Sequence, residues 1–258
     1  MRRARVIEPI IPHWPTPANV RSLITTRQGG VSKAPYNSFN LATHVDDAPQ
    51  AVMQNRQILT RELGLDVCWP TQVHGVDIYE LQLKSDLAAS PQADAVATKQ
   101  YNTVCAVQTA DCLPLLMCDQ KGSQVAAIHA GWRGLAAGII EKTALAFDAK
   151  PNELLVYLGP AISAQHFEVG LEVVNSFRQV AAKNNWPAKW QNAIKPHTKN
   201  TSKAYLDLYL LATAALNSVG VDAIYGGDYC TYADEQRFYS YRRDGQCGRM
   251  ASLIWLAA

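Results

Sequence analysis

Short apolar runs separated by turn-forming residues dominate the middle of the chain. Four follow one another between residues 93 and 130, with the sequences ADAVAT, NTVCAVQT, PLLMCD and QVAAIHA. Runs this short and this rich in Val and Ala are typical of strands in a buried sheet. Further strands are predicted at residues 20–25, 69–82, 152–160 and 222–232. Residues 237–257 predict a closing hairpin with its turn at Asp244-Gly245.

Four other segments have the spacing of helices. In residues 48–63 the apolar side chains fall at Val52, Ile58, Leu59 and Leu63. That spacing predicts an amphipathic helix, which Gly64 would close. Residues 134–149, 170–184 and 208–220 predict three more helices. Because strands and helices mix without strict alternation, we expect a layered α/β domain with mixed sheets rather than a TIM barrel or a Rossmann unit.

Length, charge and cysteine content narrow the class of protein. A chain of 258 residues fits one large domain or two small ones, and its net charge of +2 gives no electrostatic reason to expect nucleic acid or membrane as a partner. The first apolar run is short and is interrupted by Glu8, Pro9 and Pro12, which argues against a signal peptide. Six scattered cysteines without an export signal favour the cytoplasm, where cysteines are usually thiols, ligands or nucleophiles.

Three residues with metal-binding or catalytic chemistry share one setting, the end of a predicted strand beside a turn. They are His74 in TQVHG, Cys112 in TADCLP and His129 in IHAGWRG. Catalytic zinc sites keep three protein ligands and leave one position open for water or substrate. If these strand ends converge at one edge of a sheet, the three side chains would bind zinc and lower the pKa of its water to about 7.

Other interpretations of the same residues stay open. Cys112 with His129 as its base could instead form the nucleophilic pair of a hydrolase. A structural zinc in an interaction module would be closed by a fourth protein ligand, for example Cys118. Copper oxidation chemistry at several centres would use many histidines, and this chain has six in all. A histidine or cysteine at a strand end is also often only packed or capping.

Glycine turns with neighbouring arginines are candidate anion sites. Gly131, Arg133 and Gly134 stand at the predicted start of a helix, where free backbone N–H groups favour phosphate. Arg27, Arg242 and Arg243 flank two other turns. The aromatic residues that could stack on a base are Tyr36, Phe39, Trp132 and Tyr241.

Taken together, these blocks resemble the YfiH family, whose members carry the names laccase-domain protein, polyphenol oxidase and purine nucleoside phosphorylase. The matching blocks run along nearly the whole chain and include TTRQGGVSKAPYNSFNLATHVDD, TQVHG, QADAVAT, TADCLPLLMCD, AAIHAGWRG, LGPAISAQHFEVG and YSYRRDGQCGRMASLI. The resemblance implies a single catalytic domain over residues 1–258 with a four-layer α/β/β/α sandwich fold. That fold is similar in outline to a bacterial toxin deamidase with a Cys–His pair.

The resemblance also implies a cofactor and a set of site residues. The single zinc of the family would be held by His74, Cys112 and His129, and copper is the other metal to consider. Asp111, beside Cys112, and Glu168 are candidates for moving protons. By resemblance, the residues expected to contact substrate are Asn40, Arg56, Arg133 and Glu168.

The implied activity is phosphorolysis of adenosine, inosine, guanosine and methylthioadenosine to base and ribose-1-phosphate, with deamination of adenosine besides. The partners would then be purine nucleosides and phosphate. The alternative is a peptidoglycan editing amidase, which removes a wrong amino acid such as serine from a nucleotide-linked muramoyl precursor. A copper-dependent polyphenol oxidase is a further, weaker alternative. We expect a cytoplasmic monomer without a nucleic-acid or membrane partner.

Overall fold

The computed structural model describes residues 7–82 and 90–258. Its strands are β1 (Val20–Ile24), β2 (Val67–Cys68), β3 (Ile78–Glu80), β4 (Ala95–Thr98), β5 (Val104–Thr109), β6 (Leu113–Asp119), β7 (Val125–Ala130), β8 (Leu154–Leu158), β9 (Glu168–Gly170), β10 (Ile194–Pro196), β11 (Lys203–Leu206), β12 (Ala223–Gly226) and β13 (Met250–Leu256). Its α-helices are α1 (Pro49–Leu63), α2 (Trp132–Ala137), α3 (Ile139–Leu145), α4 (Leu171–Lys183), α5 (Leu208–Ser218) and α6 (Tyr241–Asp244). Two short 3-10 helices, Pro151–Glu153 and Ala188–Ala193, complete the regular structure of the described residues.

The strands form three sheets. The first has the order β1-β13-β5-β2, and only its β2–β5 pair is parallel. The second has the order β12-β8-β6-β7-β4-β3, with parallel pairs at both edges and antiparallel pairs between them. A small antiparallel sheet, β10-β11-β9, lies apart from these two. The mixed sheets that the sequence predicts are confirmed.

The two large sheets pack face to face, and helices cover their outer faces. Between the sheets, Val107 of β5 and Ile254 of β13 belong to one buried cluster with Leu116 of β6. On the outer face of the first sheet, Leu59 of α1 packs in a cluster with Leu253. On the outer face of the second sheet, one cluster unites apolar side chains of β6, β7, α3, α4 and α5. This order of layers is the predicted α/β/β/α sandwich.

Burial on both faces explains the unbroken apolar runs in the sequence. Successive side chains of a strand point to opposite faces of the sheet. In β5, Cys105 joins the cluster between the sheets, whereas its neighbours Val104 and Ala106 join the cluster beneath α1. In β6, Leu115 faces the helices and Leu116 faces the other sheet. Neither face is left for polar residues, so the polar/apolar alternation of a half-solvated strand is lost.

Three predicted helices are confirmed and a fourth is divided in two. Helix α1 ends at Gly64 as predicted, because Gly64 adopts a left-handed φ of 69° and its N–H reaches the carbonyl of Thr60. The helix predicted over residues 134–149 breaks at Gly138, whose φ of 93° closes α2 and starts α3. Glycine is tolerated at that φ because it has no Cβ.

Two strand predictions were wrong in their extent and one in its pairing. Residues 69–77 form a loop between β2 and β3 rather than part of a strand over 69–82. The strand predicted over 222–232 is limited to β12. Residues 237–257 are not a hairpin: β13 pairs with β1 and β5, and α6 occupies the predicted turn. No helix among the described residues is long and apolar enough to cross a membrane.

Candidate metal centre and the cavity above it

His74, Cys112 and His129 meet at one end of the second sheet. Their ligand atoms all lie within 4.8 Å of one another. The Sγ of Cys112 is 3.8 Å from the Nε2 of His74, and the two imidazole rings meet edge to face with 4.8 Å between centroids. The three residues singled out by their setting in the sequence therefore form one group that could bind a metal ion.

Strand register brings two of these residues together. Leu113 of β6 pairs with Ala130 of β7, and Pro114 pairs with His129. Cys112, just before β6, is therefore opposite the end of β7. His74 arrives from the loop between β2 and β3, which runs back to the same end of the sheet because β3 pairs in parallel with β4. The sequence prediction placed His74 at a strand end, and the structure places it in a loop instead.

A buried carboxylate that the sequence prediction missed connects the two histidines. Asp94 precedes β4 and has no exposed surface. Its Oδ1 accepts hydrogen bonds from His129 Nδ1 at 2.7 Å and from the backbone N–H of His74 at 3.0 Å. Its Oδ2 accepts from the N–H of Gly75 at 2.7 Å and of Val73 at 3.1 Å. The signal in the sequence was a lone acidic residue inside the apolar QADAVAT block.

The loop that carries His74 has a second attachment, to strand β5. The side-chain amide of Gln72 donates to the carbonyl of Gln108 at 2.8 Å and accepts from its N–H at 2.7 Å. This pair of bonds extends the strand pairing to a side chain. The loop is thus tied to both large sheets, which limits the positions that His74 can take.

Electrostatics in the group favour a thiolate at Cys112. Burial raises the pKa of Cys112, but the charge and hydrogen bonds of His129 and His74 outweigh burial and bring it down to about 6. Burial lowers the pKa of His129, and Cys112 together with Asp94 outweighs that effect and raises it to about 9. Without a metal the pair is therefore a thiolate beside an imidazolium at neutral pH. A thiolate is also the form of cysteine that binds metals.

Gly131 makes room for the group. A Cβ at this position would lie 2.6 Å from Cδ2 of His74 and 3.1 Å from Sγ of Cys112. The backbone itself does not require glycine, because φ is −63° and ψ is 156°. The glycine in the HAGWRG block is therefore needed for the space it leaves beside two of the ligands rather than for its conformation.

A cavity of about 380 Å³ opens over the three ligand residues. Its wall includes the aromatic side chains of Phe167 and Tyr241 and the basic side chains of His44, Arg242 and Arg249. Gln72, Gln108 and Ile162 also line it. A volume of this size fits a nucleoside-sized ligand, and the mixture of aromatic and cationic groups suits a molecule with a flat ring and an anionic part.

Asp111 holds one wall of this cavity in place. Its carboxylate accepts hydrogen bonds from the hydroxyls of Thr231 at 2.6 Å and Ser240 at 3.1 Å, and from the N–H of Arg242 at 2.7 Å. The carboxylate therefore fixes the start of α6, which presents Tyr241 and Arg242 to the cavity. The proton-moving role expected for Asp111 stays a prediction.

The remaining predicted contacts lie outside the residues that line the cavity, and their substrate-binding roles stay predictions. Buried Asn40 bonds to the backbone of Ala42 and Arg249 and to the carboxylate of Asp47. Arg56 donates to the carbonyl of Leu41 at 2.9 Å and lies over the ring of Trp69.

The two other predicted contacts also have partners of their own. Arg133 is exposed and stacks over the ring of Trp132, 4.4 Å from its centroid. The carboxylate of Glu168 pairs with Lys203 and with His197. The arginines that do line the cavity are Arg242, which the sequence analysis named beside a turn, and Arg249, which it did not name. Both lie within the FYSYRRDGQCGRM stretch, residues 238–250.

The donor set fits a metal ion with an open position. Two imidazoles and one thiolate are ligands that zinc accepts, and two histidines with one cysteine are also a copper set. Cys118, the possible fourth ligand, is buried between the two large sheets, where burial raises its pKa to about 12. Within the described residues the group therefore offers three candidate protein ligands and borders a cavity.

Known proteins resemble the chain over nearly its whole length. Residues 21–257 match the family model described as multi-copper polyphenol oxidoreductase laccase. A Pseudomonas aeruginosa protein named purine nucleoside phosphorylase is 48% identical over 96% of this chain and 98% of its own length. The Escherichia coli protein named purine nucleoside phosphorylase YfiH is 46% identical over 96% of this chain and 98% of its own. The chain belongs to the YfiH family.

A solved structure agrees with this assignment. The crystal structure of a Neisseria meningitidis protein superposes on this chain with a TM-score of 0.88 at 44% sequence identity. The superposition covers 97% of this chain and 99% of the other. Membership of the YfiH family and the mixed α/β fold, both expected from the sequence, are therefore confirmed.

Proposed function

We propose that the protein is a zinc-dependent purine nucleoside phosphorylase. The observation that carries the proposal is the group of His74, Cys112 and His129 at the floor of a nucleoside-sized cavity. The names of the similar proteins from Pseudomonas aeruginosa and Escherichia coli support this substrate class. We further propose that residues 1–258 act as one catalytic domain, since the family model matches residues 21–257. The monomeric state and the cytoplasmic location stay predictions.

In this proposal the cavity wall binds and orients the two substrates. Phosphorolysis joins a phosphate oxygen to C1′ of the ribose and breaks the bond from C1′ to the purine nitrogen, which leaves with the electron pair. Tyr241 and Phe167 offer ring faces on which a purine can stack. Arg242 and Arg249 offer guanidinium groups for the phosphate. Holding both reactants in one orientation accounts for much of the rate that such a site can supply.

The three ligand residues have a separate task. Bound zinc would supply a Lewis acid for a substrate oxygen or a water of lowered pKa. His129 directs its Nδ1 proton at Asp94 and Cys112 is a thiolate, so metal binding would require only that the His129 imidazolium lose its Nε2 proton. The same arrangement suits deamination of adenosine, in which an activated water attacks C6 of the purine, the bond from C6 to the amino group breaks, and ammonia leaves. We therefore include adenosine deamination as a second activity of this centre.

Adenosine, inosine, guanosine and methylthioadenosine test the proposal directly. Zinc-loaded protein is incubated with each nucleoside, with and without phosphate, and base, ribose-1-phosphate and inosine are quantified by chromatography. We expect base release that depends on phosphate, and inosine from adenosine without phosphate. Cys112→Ser should abolish both. Cys230→Ser, a matched change at a partly exposed cysteine outside the cavity, should not. The absence of phosphate-dependent base release from all four nucleosides would reject the proposal.

An amidase is the second candidate, and one observation favours it. Cys112, His129 and Asp94 stand in the order of a nucleophile, its base and an orienting carboxylate. The thiolate would attack the amide carbon, and the departing amine would take a proton from His129. Water, deprotonated by His129, would then hydrolyse the thioester, releasing the muramoyl acid and restoring the Cys112 thiolate. The substrate would be a nucleotide-linked muramoyl amino acid. Release of free serine or alanine from that precursor by chelator-treated protein, lost in Cys112→Ser, would support this candidate; no release would exclude it.

The identity of the bound metal distinguishes a zinc-dependent reaction from a copper-dependent one. The family description names copper, and two histidines with one cysteine also suit copper. Elemental analysis of protein purified without added metal gives the resident ion. Dioxygen uptake with a phenolic substrate by the copper-loaded form would support an oxidase, and its absence beside phosphate-dependent base release would support the phosphorylase.

A further inference from the structure

We propose that Asp94 is the positioning residue of the metal centre: its carboxylate sets the tautomer of His129 and holds the His74 loop in its ligating place. The inference rests on the proposed function only in assuming that His74, Cys112 and His129 bind a metal. Asp94 touches neither the cavity nor, by our account, the substrate. It would therefore act on the reaction solely through the two histidines.

The two carboxylate oxygens of Asp94 accept hydrogen bonds from different donors. Oδ1 serves both ligand residues, since it accepts from the ring of His129 and from the N–H of His74. Oδ2 serves the loop on either side of His74, since it accepts from Val73 and Gly75. Four donors therefore converge on one carboxylate that has no exposed surface. A buried carboxylate with four hydrogen bonds is stable in its charged form and can accept only.

The bond to His129 decides which ring nitrogen can bind a metal. A carboxylate accepts hydrogen bonds, so Nδ1 of His129 must carry the proton. The other nitrogen, Nε2, is then the one left to ligate once its own proton is displaced. The backbone reinforces this orientation, because the N–H of His129 donates to the carbonyl of Asp94 at 2.7 Å.

The bonds to the loop hold His74 in a conformation that it would not adopt alone. His74 has a φ of 60°, in the left-handed region that is uncommon for residues other than glycine. That conformation is unfavourable for a residue with a Cβ, because the Cβ comes close to the neighbouring backbone. Three consecutive N–H groups, from Val73 to Gly75, bond to the same carboxylate and offset that cost. Asp94 is fixed in turn, since its N–H donates to the carbonyl of Asp77 at 3.0 Å.

Asp94→Asn preserves size and tests the acceptor role alone. If the new NH₂ replaces Oδ1, it faces the N–H of His74 and donates to Nδ1 of His129, which moves the ring proton to Nε2 and blocks ligation. If it replaces Oδ2, it faces the two N–H donors of Val73 and Gly75. Neither orientation of the amide restores all four bonds, so the centre loses either a ligand or the loop position.

Zinc affinity of the variant and of a matched control provides the measurement. The control is Asp119→Asn, because Asp119 is equally buried and accepts three hydrogen bonds from Ser123 and Gln124, but stands at the opposite end of β6 from Cys112. Competition with a chromophoric chelator should show zinc bound about 10–100-fold more weakly by Asp94→Asn. Asp119→Asn should bind zinc within about threefold of the parent protein, even where both variants unfold at lower temperature.

Two spectra keep the inference testable if Asp94→Asn folds poorly. In the zinc-loaded parent protein, ¹⁵N NMR should show His129 bound through Nε2, with a hydrogen-bonded proton on Nδ1. Cobalt-substituted protein should show the same tetrahedral bands in the parent and in Asp119→Asn, and altered bands in Asp94→Asn. Ligation of His129 through Nδ1, or equal zinc affinity in Asp94→Asn and the parent, would overturn the inference.

The same experiments separate this inference from the proposed function. A parent protein that binds zinc and cleaves nucleosides, with Asp94→Asn equal to it in zinc affinity, would overturn the role of Asp94 alone. A parent protein that binds neither zinc nor cobalt would overturn the zinc-dependent function, and the inference with it. A parent protein that binds zinc through Nε2 of His129 but cleaves no nucleoside would overturn the function and leave the role of Asp94 supported.

Discussion

Replacing Gly131 with alanine adds one methyl group beside the ligand residues and changes nothing else. The new Cβ would lie 2.6 Å from Cδ2 of His74 and 3.1 Å from Sγ of Cys112. Backbone strain does not enter, because the φ of −63° at this position suits any residue. Any effect on metal binding would therefore be a steric effect on the two ligands.

The magnitude follows from these distances. His74 would have to move by about 0.8 Å to reach the ordinary contact distance of 3.4 Å from the new methyl group. Metal–ligand distances tolerate only about 0.2 Å, and overpacking a filled site costs about 1–3 kcal/mol. If this cost falls on the metal-bound form, zinc should bind about 5–150-fold more weakly. The pair of bonds between Gln72 and Gln108 restrains the loop of His74 and keeps it from moving aside freely.

Competition with a chelator, at one pH and one zinc concentration, measures the loss. Gly170→Ala is the matched control, because Gly170 also has an ordinary φ of −73° and the nearest atoms to its new Cβ belong to the flexible, exposed carboxylate of Glu172. The control should bind zinc as the parent protein does. A Gly131→Ala protein with zinc affinity within twofold of the parent would refute the assignment of His74 and Cys112 as neighbouring ligands.

Three further predictions concern the carboxylate of the cavity wall, the thiolate and a buried glutamate. Asp111→Asn should weaken the hydrogen bonds that fix the start of α6. We therefore expect the KM for phosphate to rise several-fold with a smaller change in kcat. An equal fall in kcat with KM unchanged would contradict the positioning role of Asp111. In metal-stripped protein, burial raises the pKa of Cys112, but His129 and His74 bring it down to about 6. The rate of alkylation by iodoacetamide should therefore be half-maximal near pH 6 and reach its plateau above it. A midpoint near the ordinary cysteine pKa of about 8.5 would contradict this. Burial raises the pKa of Glu141, whose Oε1 accepts from Trp186 and whose Oε2 has no partner. The folded state therefore holds the proton of Glu141 more tightly than the unfolded state, and stability should fall as pH rises above the ordinary carboxyl range. Glu141→Gln should flatten this dependence when melting temperature is followed between pH 4 and pH 8, and an unchanged slope would contradict it.

Elements whose pattern reflects local physics were predictable from the sequence. Helices α1, α4 and α5 have a buried apolar stripe at helical spacing, and the runs that became β5, β6 and β7 are buried on both faces. The small sheet of β9, β10 and β11 was not predicted. Its strands are short and partly exposed, so their residues do not carry an apolar pattern.

Elements whose partners are distant in the chain were predicted less well. The residues after Phe238 look like a hairpin because turn residues separate two apolar stretches. Strand β13 nevertheless pairs with β1, from the other end of the chain, and with β5. This pairing joins segments far apart in the chain, so no local pattern encodes it.

In the candidate site, too, residues marked by a local pattern could be predicted, whereas a residue that acts through distant contacts could not. His74, Cys112 and His129 could be chosen from the sequence because turns beside them marked each one, and the resemblance to the YfiH family pointed to the same three. Asp94 could not be given its role in the same way. It matters because a loop and a neighbouring strand, both distant in sequence, present four donors to one carboxylate.

Anomalous scattering from a crystal of the protein, recorded on both sides of the zinc absorption edge, shows whether His74, Cys112 and His129 hold one zinc ion. We expect one peak at the floor of the cavity, about 2.0–2.1 Å from a nitrogen of each of His74 and His129 and about 2.3 Å from Sγ of Cys112, with its fourth position facing the cavity. A fourth protein ligand on the ion, or zinc held elsewhere while these three side chains stay unliganded, would contradict it.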